Sequence, residues 1–513
     1  MIRPIQTVSE CLDDVLETDP DREAVADDAA SLSYAELDAA ANNAAAALAQ
    51  RGVRTGDRVA ACLRNGIDIV VAFHATMRLG AVWVGINQAL ASVEKDNLLS
   101  LSQPRVFLTE RSEAVEPPSQ WPTIVSGSEQ GADGWAAEVA SCAGASRPDL
   151  PDPEAPAAIA FTSGTTGLPK GIVHSQRNLL LPAASIGFSR RYDATLRKGD
   201  CLPLTILNLQ VLTTLLTSAV GGCCVLTDRR DARGVAEWIC RQRVTVWNGV
   251  PAQLYTLVHD PDIPAALLSS LDEAWTGGAA CPPALFEAFS TKFGAPLCQT
   301  YGQTEAPTAI TMDPRHDVHV EGSSGKALPH LRIWIVDDEG SEVPVGEVGE
   351  ICAEATDEGP WAGAYTPMLG LWRDGGVHRG DDTILRTGDI GKLDSGGRLF
   401  VIERKNMVII RGGANVYPAE VERVLDSLPG VEVSVVLGVR DERLGQRVVA
   451  CVERQPGSEV DGSRLRDQCR ARLARYKVPD QIRVLECMPR NEMGKVQRAL
   501  LQDLVDIPNS SVP

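Results

Sequence analysis

Residues 157–171 constrain this chain more than any other stretch. Ala157 to Phe161 are a short apolar run, and Thr-Ser-Gly-Thr-Thr-Gly-Leu-Pro-Lys-Gly follows directly at 162–171. The apolar run reads as a buried strand, so the loop stands at a strand's carboxyl end, where α/β proteins place ligands. Gly164, Gly167 and Gly171 permit φ > 0 and a close approach of backbone to a ligand, Ser163, Thr165 and Thr166 donate hydrogen bonds, and Lys170 adds a cation. That chemistry suits phosphate. It is not a Walker A loop, because Pro169 precedes Lys170 and Gly171 follows it. Pro169 also disfavours a helical Leu168. Taken alone, the same composition suits a solvated turn equally well.

At 513 residues the chain has room for two or more domains. Its 44% hydrophobic and 23% charged residues are those of an ordinary globular protein. The formal charge of −19 opposes nucleic acid and anionic membrane surfaces, so any anion site has to be locally basic. Cys201 to Thr227 is uncharged and long enough to span a bilayer. Pro203, Asn208, Gln210 and the repeated threonines fit a buried strand-helix-strand segment better than a membrane span. The first seventeen residues hold acids and no long apolar core, which argues against a secretory signal. Thirteen cysteines without a CxxC pair, two of them adjacent at Cys223 and Cys224, suit reduced thiols of a cytoplasmic protein. The seven histidines form no metal motif.

Helix and strand signals alternate through the first half, which argues for α/β layers. Ser33 to Glu36 form a capping box that starts an Ala-rich helix running to Arg51, and Arg58 to Cys62 read as a strand. Arg147 to Pro156, with four prolines and three acids, is an exposed linker into the phosphate-loop strand. Val244 to Trp247, leading to Gly249 and Val250, and Ala274 to Ala279, ending in a glycine pair, are strands expected to finish at one crevice. Leu331 to Val336 and Gly349 to Ala353 make the following portion more purely β. In the last fifth, Pro418 opens a helix and Val431 to Val439 form a strand. Six bases between Arg464 and Lys477 face one acid, Asp467. They fit either a solvated helix face or a surface that meets CoA phosphates or an acidic carrier domain.

Further signatures follow the loop in order: Tyr301-Gly302-Gln303-Thr304-Glu305, Thr387-Gly388-Asp389, Arg404 with Gly412-Gly413 and Tyr417-Pro418-Ala419-Glu420, and Pro489-Arg490 through Gly494-Lys495. Together they resemble the adenylate-forming family of acyl-CoA synthetases, luciferases and peptide-synthetase adenylation domains, from about residue 8 to about residue 503. The resemblance implies a large N-terminal multi-layer α/β domain with a β-rich subdomain, residues 1–403. It also implies a small mobile α+β C-terminal domain, residues 404–513, with a hinge near Asn406.

The chemistry implied is activation of a carboxylate by ATP. A carboxylate must approach a polyanion, and unit charges about 4 Å apart repel by about 4 kcal/mol at an effective dielectric of about 20. Cations and donors offset that cost. By the resemblance, Thr162, Ser163, Gly164, Thr165, Thr166, Gly167 and Lys170 hold the β- and γ-phosphates, Thr304 bonds the α-phosphate, and Glu305 binds Mg²⁺. Tyr301 and Gly302, with Gly278-Ala279-Ala280, lie against adenine. Asp389 accepts the ribose hydroxyls, Arg404 contacts ribose or phosphate, and Lys495 stands between carboxylate and α-phosphate. Gly412 and Gly413 let pantetheine pass. His174 is either near the phosphates or a satisfied loop histidine.

Departures from the family's pattern stand beside these matches. Glu403 replaces the usual Gly before Arg404, Asn406 occupies the hinge position, Thr205-Ile206 stand where an aromatic or His is common, and the loop at 354–370 is longer than usual. No Asp lies between Cys201 and Thr227 to pair with a substrate ammonium, which disfavours an α-amino acid. Ile206, Asn208, Trp247 and Val250 are the candidates for a neutral, mostly apolar acyl pocket, suited to an aromatic, alicyclic or medium-chain acid. The expected enzyme is an acyl-CoA ligase using ATP, Mg²⁺ and CoA. The alternatives are a stand-alone ligase loading a phosphopantetheine carrier protein and a silent nucleotide-binding regulator. Oligomeric state is not legible in the sequence.

Overall fold

The computed structural model describes residues 7–110, 121–126, 134–162, 169–278, 281–315, 317–380, 382–412, 414–441, 443–490 and 496–506. The chain divides into two compact units. One comprises Met1–Ile333, Ala353–Leu385 and Gly397–Leu399, and the other Trp334–Cys352, Arg386–Gly396 and Phe400–Pro513.

Two large sheets organise the first unit. Among the described residues, one has nine strands in the order Lys326–Ala327, Thr308–Met312, Leu297–Gln303, Glu273–Gly277, Val246–Asn248, Arg197–Asp200, Cys223–Leu226, Glu23–Ala26 and Ser31–Ser33. Its central strands, from Leu297–Gln303 to Glu23–Ala26, run parallel, and those from Glu273–Gly277 to Glu23–Ala26 are largely buried, as sheets covered by crossover helices must be. The second sheet has eight strands and places Pro156–Thr162 between Lys170–Ser175 and Val82–Gly85.

The helix Gln176–Arg190 connects these sheets. Ser175 caps its start by accepting from the Asn178 N–H at 3.2 Å, and at its end Arg190 Nε donates to Glu273 Oε1 at 3.0 Å in the buried interior. A second tie is Asn65, whose side chain accepts from Leu204 N at 2.9 Å and donates to Leu202 O at 2.9 Å. Gly85, at a strand end of the eight-stranded sheet, has no room for a side chain: a Cβ there would lie 1.8 Å from Thr205 O.

Local sequence signals fare well here. The helix Tyr34–Gln50 begins at Ser33, whose hydroxyl accepts from Glu36 N at 3.2 Å while Glu36 accepts from Ser33 N at 2.8 Å. Cys201 to Thr227 lies between and within two buried strands, Arg197–Asp200 and Cys223–Leu226, joined by helical turns from Leu207 to Val220. No described helix is long and apolar enough to cross a membrane. The strand placed at Val244 to Trp247 begins later, at Val246–Asn248, because Thr245 N and Oγ1 are taken by loop bonds to Arg197.

A four-stranded sheet of Leu331–Val336, Gly349–Ala355, Leu385–Leu393 and Leu399–Arg404 precedes the carboxyl-terminal part of the chain. There, the helix Pro418–Asp426 packs on the hairpin of Val431–Asp441 and Gly445–Arg454, with Val421, Leu425, Val436 and Val448 in its core.

Candidate active site

The phosphate-loop candidate is the connection of a β-hairpin. Pro156–Thr162 pairs antiparallel with Lys170–Ser175, and Thr162 stands opposite Lys170. Residues 163–168 lie outside the described residues, as do Ala279, Ala280, Gly413 and Lys495. Lys170 is exposed and has no ion-pair partner among the described residues, so its charge is available. Gly171 does not take the positive φ expected of it. It has ordinary strand backbone, and what demands glycine is packing, since a Cβ would lie 2.9 Å from Trp372 Cβ and 3.1 Å from the Phe161 ring.

The adenine candidates gather at the carboxyl edge of the nine-stranded sheet. Gly277 pairs with Thr300, which puts Gly278 and Tyr301 at adjacent strand ends. Gly278 has φ of 73°, a conformation costly for other residues. Thr304 and Glu305 follow in the turn between Leu297–Gln303 and Thr308–Met312. Neither side chain has a hydrogen-bonding or ionic partner among the described residues. The Glu305 carboxylate is thus free to take an oxygen-seeking cation. A lone carboxylate completed by phosphate oxygens and water is how Mg²⁺ is commonly held, and the described residues contain no cluster of three or more ligating side chains that would suit a tighter metal site.

His174 proves to be a strand residue rather than a loop residue. It is fully buried, and Nε2 lies 2.7 Å from Thr304 O. Burial pushes its pKa down to about 4, with the bond to Thr304 opposing.

The acyl candidates separate. Ile206 and Asn208 are half-buried at the start of the helical turns, and Val250 is half-buried just after the neighbouring strand. Trp247 does not join them. Alternate residues of a strand face opposite ways, and its indole enters the core formed with Trp238, Leu254 and Phe289, where it lies against Gly249. Asn248, which sequence reasoning passed over, takes the other face and donates to Asp200 Oδ2 at 2.6 Å. A polar residue ending an apolar run was the available signal. Asp200 directly precedes the Cys201–Thr227 stretch, which holds no Asp to pair with a substrate ammonium. Its oxygens already accept from Leu202 N at 2.9 Å and Thr213 Oγ1 at 2.8 Å, with the buried Lys198 ammonium at 3.7 Å. Burial opposes ionisation of both, pushing Asp200 up and Lys198 down.

In the second unit, Asp389 is buried, its N–H donates to Thr387 Oγ1 at 3.1 Å, and Arg404 Nε approaches Oδ1 at 2.8 Å. Glu403 accepts from Arg404 N at 2.9 Å and from Ala419 N at 3.0 Å, while Asn406 is exposed in a short helical turn. Gly412 has φ of 59° in the turn after Ile409–Arg411, and a Cβ there would meet only Leu444 at an ordinary 3.5 Å. Its glycine is explained by conformation. Within the basic stretch, Lys477 binds both Glu420 oxygens at 2.6 Å and Arg470 pairs with Asp467 at 2.6 Å.

The AMP-binding enzyme family matches residues 12–356, and the AMP-binding enzyme C-terminal domain matches residues 420–495. An indoleacetate–CoA ligase of Aromatoleum aromaticum is 34% identical, over 97% of this chain and 98% of its own. A 2-succinylbenzoate–CoA ligase of Geobacillus kaustophilus is also 34% identical, over 95% and 96%. Among solved structures, ATP-bound MatB from Rhodopseudomonas palustris superposes with a TM-score of 0.86 at 28% identity, over 97% of this chain and 99% of that one. MenE from Bacillus subtilis with its acyl-adenylate does so at 0.82 and 30%, over 96% and 98%.

Proposed function

The chain belongs to the AMP-binding enzyme family, and from that premise we propose that it is an ATP-dependent carboxylic acid–CoA ligase. The carboxylate attacks the α-phosphorus of ATP, pyrophosphate leaves, and the CoA thiol then displaces AMP from the acyl-adenylate to give a thioester. One observation carries the reading. The strand leaving the 162–171 loop and the Thr304–Glu305 turn, 130 residues apart in sequence, are joined by the His174–Thr304 bond.

In this reading, residues 162–170 grip the β- and γ-phosphates, Thr304 bonds the α-phosphate, and Tyr301, Gly302 and residues 278–280 receive adenine. Asp389 and Arg404 engage the ribose. Lys495 offsets the repulsion between carboxylate and phosphate. Mg²⁺, held by Glu305 and phosphate oxygens, supplies charge neutralisation when bound. Residues 404–513 turn about a hinge near Asn406 between the half-reactions, and Gly412 and Gly413 leave space for pantetheine. The full-length relatives that act on indoleacetate and 2-succinylbenzoate support an aromatic or alicyclic acid. Half-buried Ile206 and Val250 support an apolar lining with Asn208 as its polar point. The free cysteines support a reducing compartment such as the cytoplasm.

The test is acid-dependent exchange of labelled pyrophosphate into ATP over aromatic, alicyclic and medium-chain acids, followed by addition of CoA or of holo-carrier protein. Exchange with an accepted acid and thioester formation with CoA are expected. Thioester with carrier protein alone would replace CoA as the acceptor. Absence of exchange across the panel would favour a silent nucleotide-binding protein.

A further inference from the structure

The turn that carries Thr304 and Glu305 is strained and depends on distant parts of the chain. Thr308, which closes it, has φ of 88°, an outlier for a β-branched residue. Thr308 stands opposite Gln303, the pairing slips one step further on, between Tyr301 and Gly302, and the Thr308 carbonyl comes so close that a Cβ on Gly302 would lie 1.8 Å away. Such backbone persists only where its surroundings enforce it.

The enforcing contacts are on two backbone carbonyls. Thr304 O receives His174 Nε2 at 2.7 Å, and Glu305 O receives the Met368 N–H at 3.1 Å. A carbonyl only accepts, so Nε2 carries the imidazole proton, and Nδ1 is left buried without a partner. Residues 366–368 are in turn anchored on Asn178, which donates to Pro367 O at 2.8 Å and accepts from Thr366 Oγ1 at 2.7 Å. Leu369 N donates to Val173 O at 2.8 Å, beside His174. Lys170, Ile172 and His174 share one face of their strand, so the loop cation and the carbonyl clamp belong to a single rigid element.

We propose that His174 is a positioning residue for the nucleotide's phosphates: its Nε2–H, with the 366–368 strap, sets the Thr304–Glu305 turn against the strand that bears Lys170. This rests on the ligase reading above. A histidine serves better than a longer cation here because burial keeps the imidazole neutral, so the donor works without placing a second charge under the turn.

Calorimetric titration with MgATP and, separately, with adenosine tests it. His174→Met fills the volume without a donor, and His174→Gln restores an N–H near the position of Nε2. His174→Met should weaken MgATP binding by about tenfold, the worth of one well-placed hydrogen bond, with adenosine affinity unchanged and His174→Gln within about threefold of the parent. Thr366→Val, which keeps shape and fold, should weaken MgATP in the same direction by about threefold. Equal loss for adenosine and MgATP, equal behaviour of the Met and Gln variants, or unaltered MgATP binding in both His174→Met and Thr366→Val overturns the positioning role. Wild-type protein that binds no MgATP overturns the functional reading itself.

Discussion

Arg404 Nε lies 2.8 Å from Asp389 Oδ1, so the two side chains expected at the ribose hold one another before any ligand arrives. Arg404 is about half exposed and the carboxylate is buried. The pair therefore adds little to stability, about 1 kcal/mol or less after solvent screening, and serves chiefly to orient the carboxylate. Arg404→Met should leave the melting temperature nearly unchanged. Asp389→Asn, which keeps the shape, should weaken AMP binding by about tenfold or more, because hydrogen bonds to a charged acceptor are worth about 1.5–3 kcal/mol each. Calorimetry with AMP checks both, and full affinity in Asp389→Asn would remove Asp389 from the ribose site.

Glu403 stands where the family resemblance implies a Gly, and the structure supplies a use for it. Its carboxylate accepts from Ala419 N, one of the unpaired donors in the first turn of the helix Pro418–Asp426, as well as from Arg404 N. Glu403→Ala should release this tie at a cost of about 1 kcal/mol, as for loss of a helix cap. Hydrogen exchange at residues 404–420 should then accelerate while the Val431–Asp441 hairpin keeps its protection. Unchanged exchange would mean that the tie is dispensable.

Thr308→Gly should relieve the left-handed strain at the turn. Loss of a buried side chain usually destabilises, but here relief of about 1–3 kcal/mol opposes it, so stability should stay within about 1 kcal/mol of the parent. MgATP affinity should nonetheless fall, because the turn is no longer set. Urea unfolding beside MgATP titration separates the two, and a loss of several kcal/mol would show that Thr308 is held without strain.

Three buried histidines set an acid limit. Burial depresses His174 to about 4, and His74 and His330 to about 3, from an ordinary 6.5. Their neutral forms persist in the folded chain while the unfolded chain takes up protons, so stability is fully present above pH 6.5 and falls as pH drops toward 4. Each unit of depression is worth about 1.4 kcal/mol. The melting temperature should be level between pH 7 and 8 and decline between about pH 6.5 and 4.5, and His330→Gln should flatten that decline. A level profile down to pH 4.5 would contradict the depressed values.

Lys495→Ala should nearly abolish acid-dependent pyrophosphate exchange. Removing a cation whose interaction is about 4 kcal/mol corresponds to roughly a thousandfold in rate. Synthetic acyl-adenylate with CoA should still give thioester at close to the parent rate, because the carboxyl-terminal residues are expected to have turned Lys495 away. Loss of both steps in a folded variant would count against that rotation.

The sequence by itself determined whatever depends on neighbours along the chain. The Ser33 cap, the strand that leads into 162–171 and the helix opened by Pro418 follow from propensity and spacing, and the order of the signature motifs identified the family. Tertiary structure decided what depends on which faces meet. Trp247 turned into the helix-covered core because strand pleating gives adjacent residues opposite sides, and Asn248 faces the other way, onto Asp200. Gly171 is required by Trp372, some two hundred residues later, and His174 found its acceptor at Thr304. Such partners leave no local trace, because a hydrogen bond or a close approach across a sheet is set by register and packing, to which the spacing of residues along the chain is indifferent.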